Sequence, residues 1–293
     1  SSLLNLEVGG LKRSSKSSFF RLNILLFVFL LGTRVTTTEF AGLVSLDTCI
    51  WGPLNSKAQV RGETIVLTGD VIVPEGITLT ILPGTKVKAQ TITNENITPN
   101  NLFAGLELNV SGSLLALGTP EEPISFSGYS SIKGSWQGLF SSSGVLKLKN
   151  VIIEAANQGV FVSGGALEIT DCVIRQNKTG ITLMGWQNCS INNCLISENI
   201  DGIACASTST LISNNTISNN DIGIHIMYGE SGPSIINNHF ENNRSFHIVN
   251  LATCNIIAYP NFWDRAIDSL GSMLYDGYSE PEVGLIIYLE DNN

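Results

Sequence analysis

Five consecutive stretches carry the same phrase: LKLKNVIIEAANQGVFV from Leu146, LEITDCVIRQNKTGITL from Leu167, CSINNCLISENIDGIAC from Cys189, TLISNNTISNNDIGIHI from Thr210 and PSIINNHFENNRSFHIV from Pro233. Their common pattern is I-x-N-x-x-I-x-x-N-x-x-G-I-x-I. The central apolar residues are Ile153, Ile174, Ile196, Ile217 and Phe240, spaced 21, 22, 21 and 23 apart. That period is too long for a heptad and too short for a pair of helices. It fits one coil of a three-sided solenoid, with three short strands and three turns, each strand stacking about 4.8 Å from its counterpart in the next coil.

The columns of such a stack are chemically uniform. Five places before the anchor stand Leu148, Ile169, Ile191, Ile212 and Ile235. Seven places after it stand Val160, Ile181, Ile203 and Ile224, with Phe246 read as one place early because the last coil is expected to lose a residue. Alternation sends these side chains inward. Two polar columns flank the anchor: Asn150, Asp171, Asn193, Asn214 and Asn237 before it, and Asn177, Asn199, Asn220 and Asn243 after it. Asn tolerates the left-handed backbone of a sharp corner, and stacked Asn amides hydrogen-bond along an axis. Both columns are therefore expected to be structural ladders. Gly159, Gly180, Gly202 and Gly223 are expected at another corner, with positive φ. Cys172 and Cys194 occupy one slot in adjacent coils, at a spacing compatible with a disulfide and equally with a stack of buried thiols.

This reading explains the composition. Lys and Arg total 16, Asp and Glu 25, for a net charge of −9, and charged residues are 14% of the 293, against about 25% in ordinary soluble domains. Their places are taken by 28 Asn, 31 Ser, 21 Thr and 28 Gly. So acidic a chain does not coat a nucleic-acid backbone, and 43% apolar residues exclude a disordered tail.

Residues 1–48 form a signal-like or N-terminal cap segment. Lys12, Arg13, Lys16 and Arg21 precede the apolar run LNILLFVFLL (22–31), too short to span a bilayer and suited to an export signal. Residues 49–263 are assigned to the solenoid. Upstream of the repeats, DVIVPEG and ITLTILPGTKV (70–87) alternate in strand fashion between Pro-Gly turns, and residues 90–103 read as a loop leaving the coil. Residues 264–293 are assigned to a C-terminal cap, a helix over 264–275 followed by a final strand, closing an end that would otherwise expose core and strand edge.

GDVIVPEGITLTILPGTKVK, GSLLALGTPEEPISFSG followed by GSWQGLF, and the repeats themselves resemble right-handed parallel β-helix proteins of the pectin-lyase-like superfamily. The ending NFWDRAIDSLGSMLYDGYSEPEVGLIIY is similar to the closing segment of secreted members, with Asp264 where those carry Gly. The resemblance implies an all-β fold, a single-stranded right-handed parallel β-helix of about 21–23 residues per coil with a short C-terminal helix. It leaves function open, because the fold carries both enzymes and passive surface proteins.

Enzymatic members resemble one another in calcium-binding carboxylate clusters or in NTD, DD, GHG and RIK strings, none of which occurs here. No catalytic residue, metal ligand set or cofactor is assigned. Counted from the corner, His225 and His247 are expected to share an outward column with Phe161, Thr182 and Ala204, near Asp221, Arg244, Tyr228 and Glu230. A His pair beside carboxylates binds a metal or moves protons; the plainer reading is solvated strand residues. Trp186 and Tyr228 are candidate sugar-stacking platforms, and Trp136 and Trp263 candidate packing residues. The expected role is an extracellular or cell-surface module for binding, adhesion or structure, directed to polysaccharide or a cell-surface glycan, with a divergent polysaccharide lyase or glycoside hydrolase as the alternative. No nucleic-acid partner and no membrane span within the β-helix are expected. End-to-end self-association is a third reading, and localisation follows as secreted or cell surface.

Overall fold

In the computed structural model, residues 48–54, 58–60, 64–90, 105–185, 188–264 and 266–289 are described. Residues 1–47 of the signal-like segment and the loop after Gln90 lie outside them. The described chain is a parallel β-solenoid. One inward column runs Ile65, Val87, Phe126, Ile153, Ile174, Ile196, Ile217, Phe240, Trp263, each residue paired in register with the next. The five expected anchors are consecutive members of it.

Three faces follow one another round each coil. The first holds the anchors, on strands such as Val173–Arg175, Leu195–Ser197 and Thr216–Ser218. The second holds Gln158–Val162, Thr179–Met184, Asp201–Ala206, Ile222–Tyr228 and Phe246–Asn250. The third holds Val145–Lys149, Ala166–Thr170, Asn188–Asn192, Leu211–Ser213 and Ser234–Ile236. Every pairing is parallel, and the strand Thr64–Val73 runs through both of the first two faces. The β-branched inward residues are why these segments stay extended: they pack against identical neighbours above and below. The inward columns of the three faces meet in one core, where Ile153, Ile174, Ile196, Ile217, Ile191 and Ile203 are fully buried.

The two Asn columns turn out to do different work. Asn150, Asp171, Asn193, Asn214 and Asn237 have φ between 47° and 58° and turn the corner into the first face. Their side chains form no continuous ladder; Asn193 donates to Asp171 at 2.6 Å, while Asn150 donates to the Gly118 carbonyl at 3.2 Å. Asn177, Asn199, Asn220 and Asn243 are buried and form the ladder. The Oδ1 of Asn199, Asn220 and Asn243 each accepts both the backbone N–H and the Nδ2 of the Asn one coil earlier, as at Asn199 to Asn220, 2.9 and 3.0 Å, while Asn177 Oδ1 accepts the Ala156 N–H at 2.9 Å. Each Nδ2 also donates to an anchor carbonyl of the previous coil. A buried amide is tolerated only when all its groups are paired, and here the periodicity pairs them.

The glycine column is corrected. Gly159, Gly180, Gly202 and Gly223 are absent from the positive-φ residues and lie inside second-face strands. A Cβ on Gly202 would stand 2.5 Å from the Gly223 carbonyl oxygen and 3.2 Å from the Asn220 amide. Close approach beside the ladder, not a left-handed turn, excludes a side chain.

The last repeat is corrected as well. Ile224 pairs with Ile248, and His225 with Val249. The corner gains a residue instead of losing one, so Phe246 faces outward opposite Ile222 and His247 fills the glycine slot.

At the C-terminal end the helix is short, Ile267–Leu270 followed by a 3-10 turn at Gly271–Met273. It forms the corner of a further coil: Phe262–Trp263 and Leu274–Tyr275 on either side of it both pair with the coil before. The end is closed by polar anchors. Asn250 donates to the carbonyls of Cys254 and Gly284 at 3.0 and 2.8 Å. The buried Asp276 accepts the N–H groups of Tyr278 and Ile286 at 3.0 and 2.7 Å. The final strand Ile286–Ile287 pairs with Ile256–Ile257.

Candidate functional site

The three faces differ in what they turn outward. On the third, Lys147 and Glu168 form an ion pair at 3.2 Å, and Lys149 meets Asp171 at 3.7 Å. On the first, Arg175 meets Glu154 at 3.1 Å. These pairs are half-exposed and belong to a solvated surface, where each contributes little. The second face is different. From Phe140 to Val249 its outward positions are Phe140, Gln158, Phe161, Thr179, Thr182, Met184, Asp201, Ala204, Ala206, Ile222, His225, Tyr228, Phe246 and Val249. They include one carboxylate and neither Lys nor Arg.

Two features stand out along this strip. At one end Phe140 and Phe161, partners across neighbouring strands, stack with ring centroids 5.2 Å apart. Farther along, His225 Nδ1 lies 3.6 Å from Asp201 Oδ1, both side chains about one quarter exposed. Thr182 and Ala204 separate the two in the middle column and are small enough to be almost covered by their neighbours. Tyr228, 53% exposed, stands beside them opposite Ala206. Phe246 and Tyr275 meet edge to face at 5.7 Å at the far end.

The expected His225–His247 pair does not form. His247 is fully buried, and its ring ends the amide ladder. Asn243 Nδ2 donates to Nδ1 at 3.1 Å, and Nε2 donates to Asp264 Oδ1 at 3.0 Å. Asp264 Oδ2 also accepts the N–H of Asn242 at 2.6 Å. That network gives Asp264, the departure from the family-like ending, a structural task. Asp221 and Arg244 do come together, at 2.8 Å, on the corner between the first and second faces. A shallow polar groove of about 400 Å³ lies at the same corner, lined by Lys133, Gln176, Glu198 and Asp221 among others. Gln176 donates to Glu198 there at 2.8 Å.

Of the tryptophans, Trp136 is buried and donates to the Glu154 carbonyl at 2.9 Å. Trp263 stacks on Phe240 at 4.7 Å, and Trp186 lies outside the described residues. The Phe140–Phe161 platform escaped the sequence reading, although Phe161 heads the outward column named there. The missing step was carrying that column one coil upstream, from Phe161 to Phe140. Cys172 and Cys194 are free thiols. Among the described residues no three His, Cys, Asp or Glu side chains are grouped so as to hold a metal ion, and no helix is long and apolar enough to cross a membrane.

A family model described as "Right handed beta helix region" matches residues 128–263. No curated protein and no solved structure gives a match. The match spans the regular coils and the outward strip from Phe140 to Val249.

Proposed function

Starting from a right-handed parallel β-helix repeat protein, we propose that the chain is an extracellular or cell-surface binding module whose second face takes a carbohydrate chain. One observation carries this reading: among the described residues, the second face from Phe140 to Val249 combines a stacked aromatic pair, hydroxyl and imidazole groups and an almost complete lack of charge. A pyranose ring packs its C–H face on an aromatic ring by dispersion and weak polar contact. A chain of such rings laid along the axis would meet successive coils about 4.8 Å apart. Phe140 and Phe161 act as the platform, and Thr179, Asp201 and His225 exchange hydrogen bonds with hydroxyls. With no Lys or Arg on the strip, the ligand is a neutral glycan rather than a polyanionic uronan. The basic lead and short apolar run near the N-terminus support export.

The reading is tested by titrating the full chain with cellohexaose, xylohexaose, mannohexaose and hexagalacturonate, with product analysis in parallel. Binding of at least one neutral oligosaccharide, weakened at least tenfold in Phe161→Ala, is expected. Silence towards all four, or preference for hexagalacturonate, overturns it. The second reading, a polysaccharide lyase or glycoside hydrolase, draws on the Asp201–His225 pair. Acid/base hydrolysis calls for two carboxylates flanking the bond, and the strip carries one. Release of reducing ends or unsaturated products, abolished by His225→Ala, would establish that reading in place of the first.

A further inference from the structure

Beside Asn177–Asn243 the structure contains a second amide ladder. Asn215 donates its N–H and Nδ2 to Asn238 Oδ1, each at 3.0 Å, and Asn238 donates likewise to Asn261 at 2.8 and 3.1 Å. These residues stand two places before Ile217, Phe240 and Trp263. The same slot in the two preceding coils holds Cys172 and Cys194, two places before Ile174 and Ile196. The ladder reaches them without a break, because the Cys194 N–H donates to Asn215 Oδ1 at 2.9 Å. Where an amide would bridge to the next coil, two thiols face each other instead.

We propose that Cys172 and Cys194 form a dithiol site that a small peroxide closes into a disulfide, stapling two adjacent coils. In-register parallel neighbours lie about 4.8 Å apart, inside the Cα window of a disulfide. The backbone locks this register, since the Leu195 N–H donates to the Cys172 carbonyl at 2.9 Å. Each sulfur is held over its own strand: Cys172 Sγ donates to the Thr170 carbonyl at 3.2 Å and Cys194 Sγ to the Asn192 carbonyl at 3.1 Å. When one of the two thiols ionises, the S–H of the other is placed to turn and donate to the thiolate.

The contact makes the two sulfurs unequal. Hydrogen bonding from Cys172 lowers the Cys194 thiol below its ordinary value, while the bond to Cys194, and then burial, raises Cys172. Burial raises Cys189 and Cys254, and pushes Cys205 up to about 12. Cys194 is therefore the thiol that presents a thiolate to an oxidant. Both residues are buried, 2–3% exposed, which selects an oxidant near water in size. The Cys194 thiolate attacks hydrogen peroxide, the O–O bond breaks, a sulfenic acid forms and hydroxide leaves, to be protonated to water. The Cys172 sulfur then attacks the sulfenic sulfur, the S–S bond forms, and the second oxygen leaves as water with the Cys172 proton. Two thiols lose two electrons and one peroxide gains them.

The reduced full chain is titrated with hydrogen peroxide, blocked with iodoacetamide in denaturant, digested without reductant and mapped by mass. A peptide pair joined through Cys172 and Cys194, 2 Da lighter than its parts, is expected before any other thiol is consumed. The unfolding midpoint should rise by roughly 5 °C and return on reduction. In Cys172→Ser the reaction stalls, and Cys194 is trapped as sulfenic acid by dimedone. Protection of both thiols at a dose that oxidises Cys254, first oxidation at another cysteine, or no dimedone adduct at Cys194 in the variant overturns the proposal.

Discussion

The coils before residue 141 and those from 151 to 263 share one core but are held differently. In the upstream part the inward column runs Ile65, Val87, Phe126 and Ile153, with steps of 22, 39 and 27 residues. Its turns are Pro-Gly and Pro-Glu-Gly corners, with φ 76° at Gly76 and 77° at Gly84. The downstream part keeps steps of 21 to 23 and runs two amide ladders through it. The difference shows what each device requires. An aliphatic column tolerates an excursion at a corner, because the chain rejoins the stack on its next inward residue. A ladder does not, because each amide needs its neighbour one coil away at hydrogen-bond distance. Regular spacing is the signature of the ladder; the helix itself needs only the columns.

The strongest way to break the contrast is Asn220→Ala. It removes the acceptor for two buried donors of Asn199 and the donor to the Ile196 carbonyl, and should cost about 3–4 kcal/mol. That lowers the unfolding midpoint by roughly 10 °C in a thermal melt. Asn214→Ala, on the exposed left-handed corner, should cost only about 1 kcal/mol; equal losses would show that the two columns are not different in kind.

Gly202→Ala comes next. The new methyl would meet backbone at 2.5 Å on the neighbouring coil, for about 2–3 kcal/mol of destabilisation. The same change at Gly271, where a Cβ meets nothing within 4 Å, should leave the melt within about 0.5 kcal/mol. A harmless Gly202→Ala would remove close approach as the reason for the glycine column.

His247→Ala should act locally. It takes away the ring that joins Asn243 to Asp264, so hydrogen exchange at 246–250 and 262–264 should quicken by roughly tenfold, about 1.4 kcal/mol. Exchange at 166–206 should stay unchanged; uniform quickening would mean that the ring supports the whole shaft. The smallest effect is expected from Cys194→Asn, which adds a rung to the second ladder and should stabilise by about 1 kcal/mol or less. A loss larger than that would show that the slot fits sulfur rather than an amide.

Much of this was legible in the sequence. The anchors and the columns around them are fixed by alternation and period, which a parallel stack cannot satisfy in any other register. The functions of Asn and Gly were less legible, because one residue type serves different ends. Asn193 and Asn199 look alike in sequence; one has the backbone of a corner and the other a buried amide. The pattern puts Phe246 inward in the last coil where the structure has Ile248, since both are apolar and flank His247. With Ile248 inward, the imidazole of His247 meets Asn243 at the end of the ladder. The outward strip was hardest to read, since outward residues carry no periodic constraint, and the Phe140–Phe161 pair emerges only once neighbouring strands are in register.

The separation between a shaft built for stacking and a second face free to bind is tested most directly by calorimetric titration of Phe161→Ala with the neutral hexasaccharides, set beside its thermal melt. Affinity reduced at least tenfold, with a midpoint within about 3 °C of the parent, is the result the account predicts. Undiminished binding in a normally folded variant would contradict it.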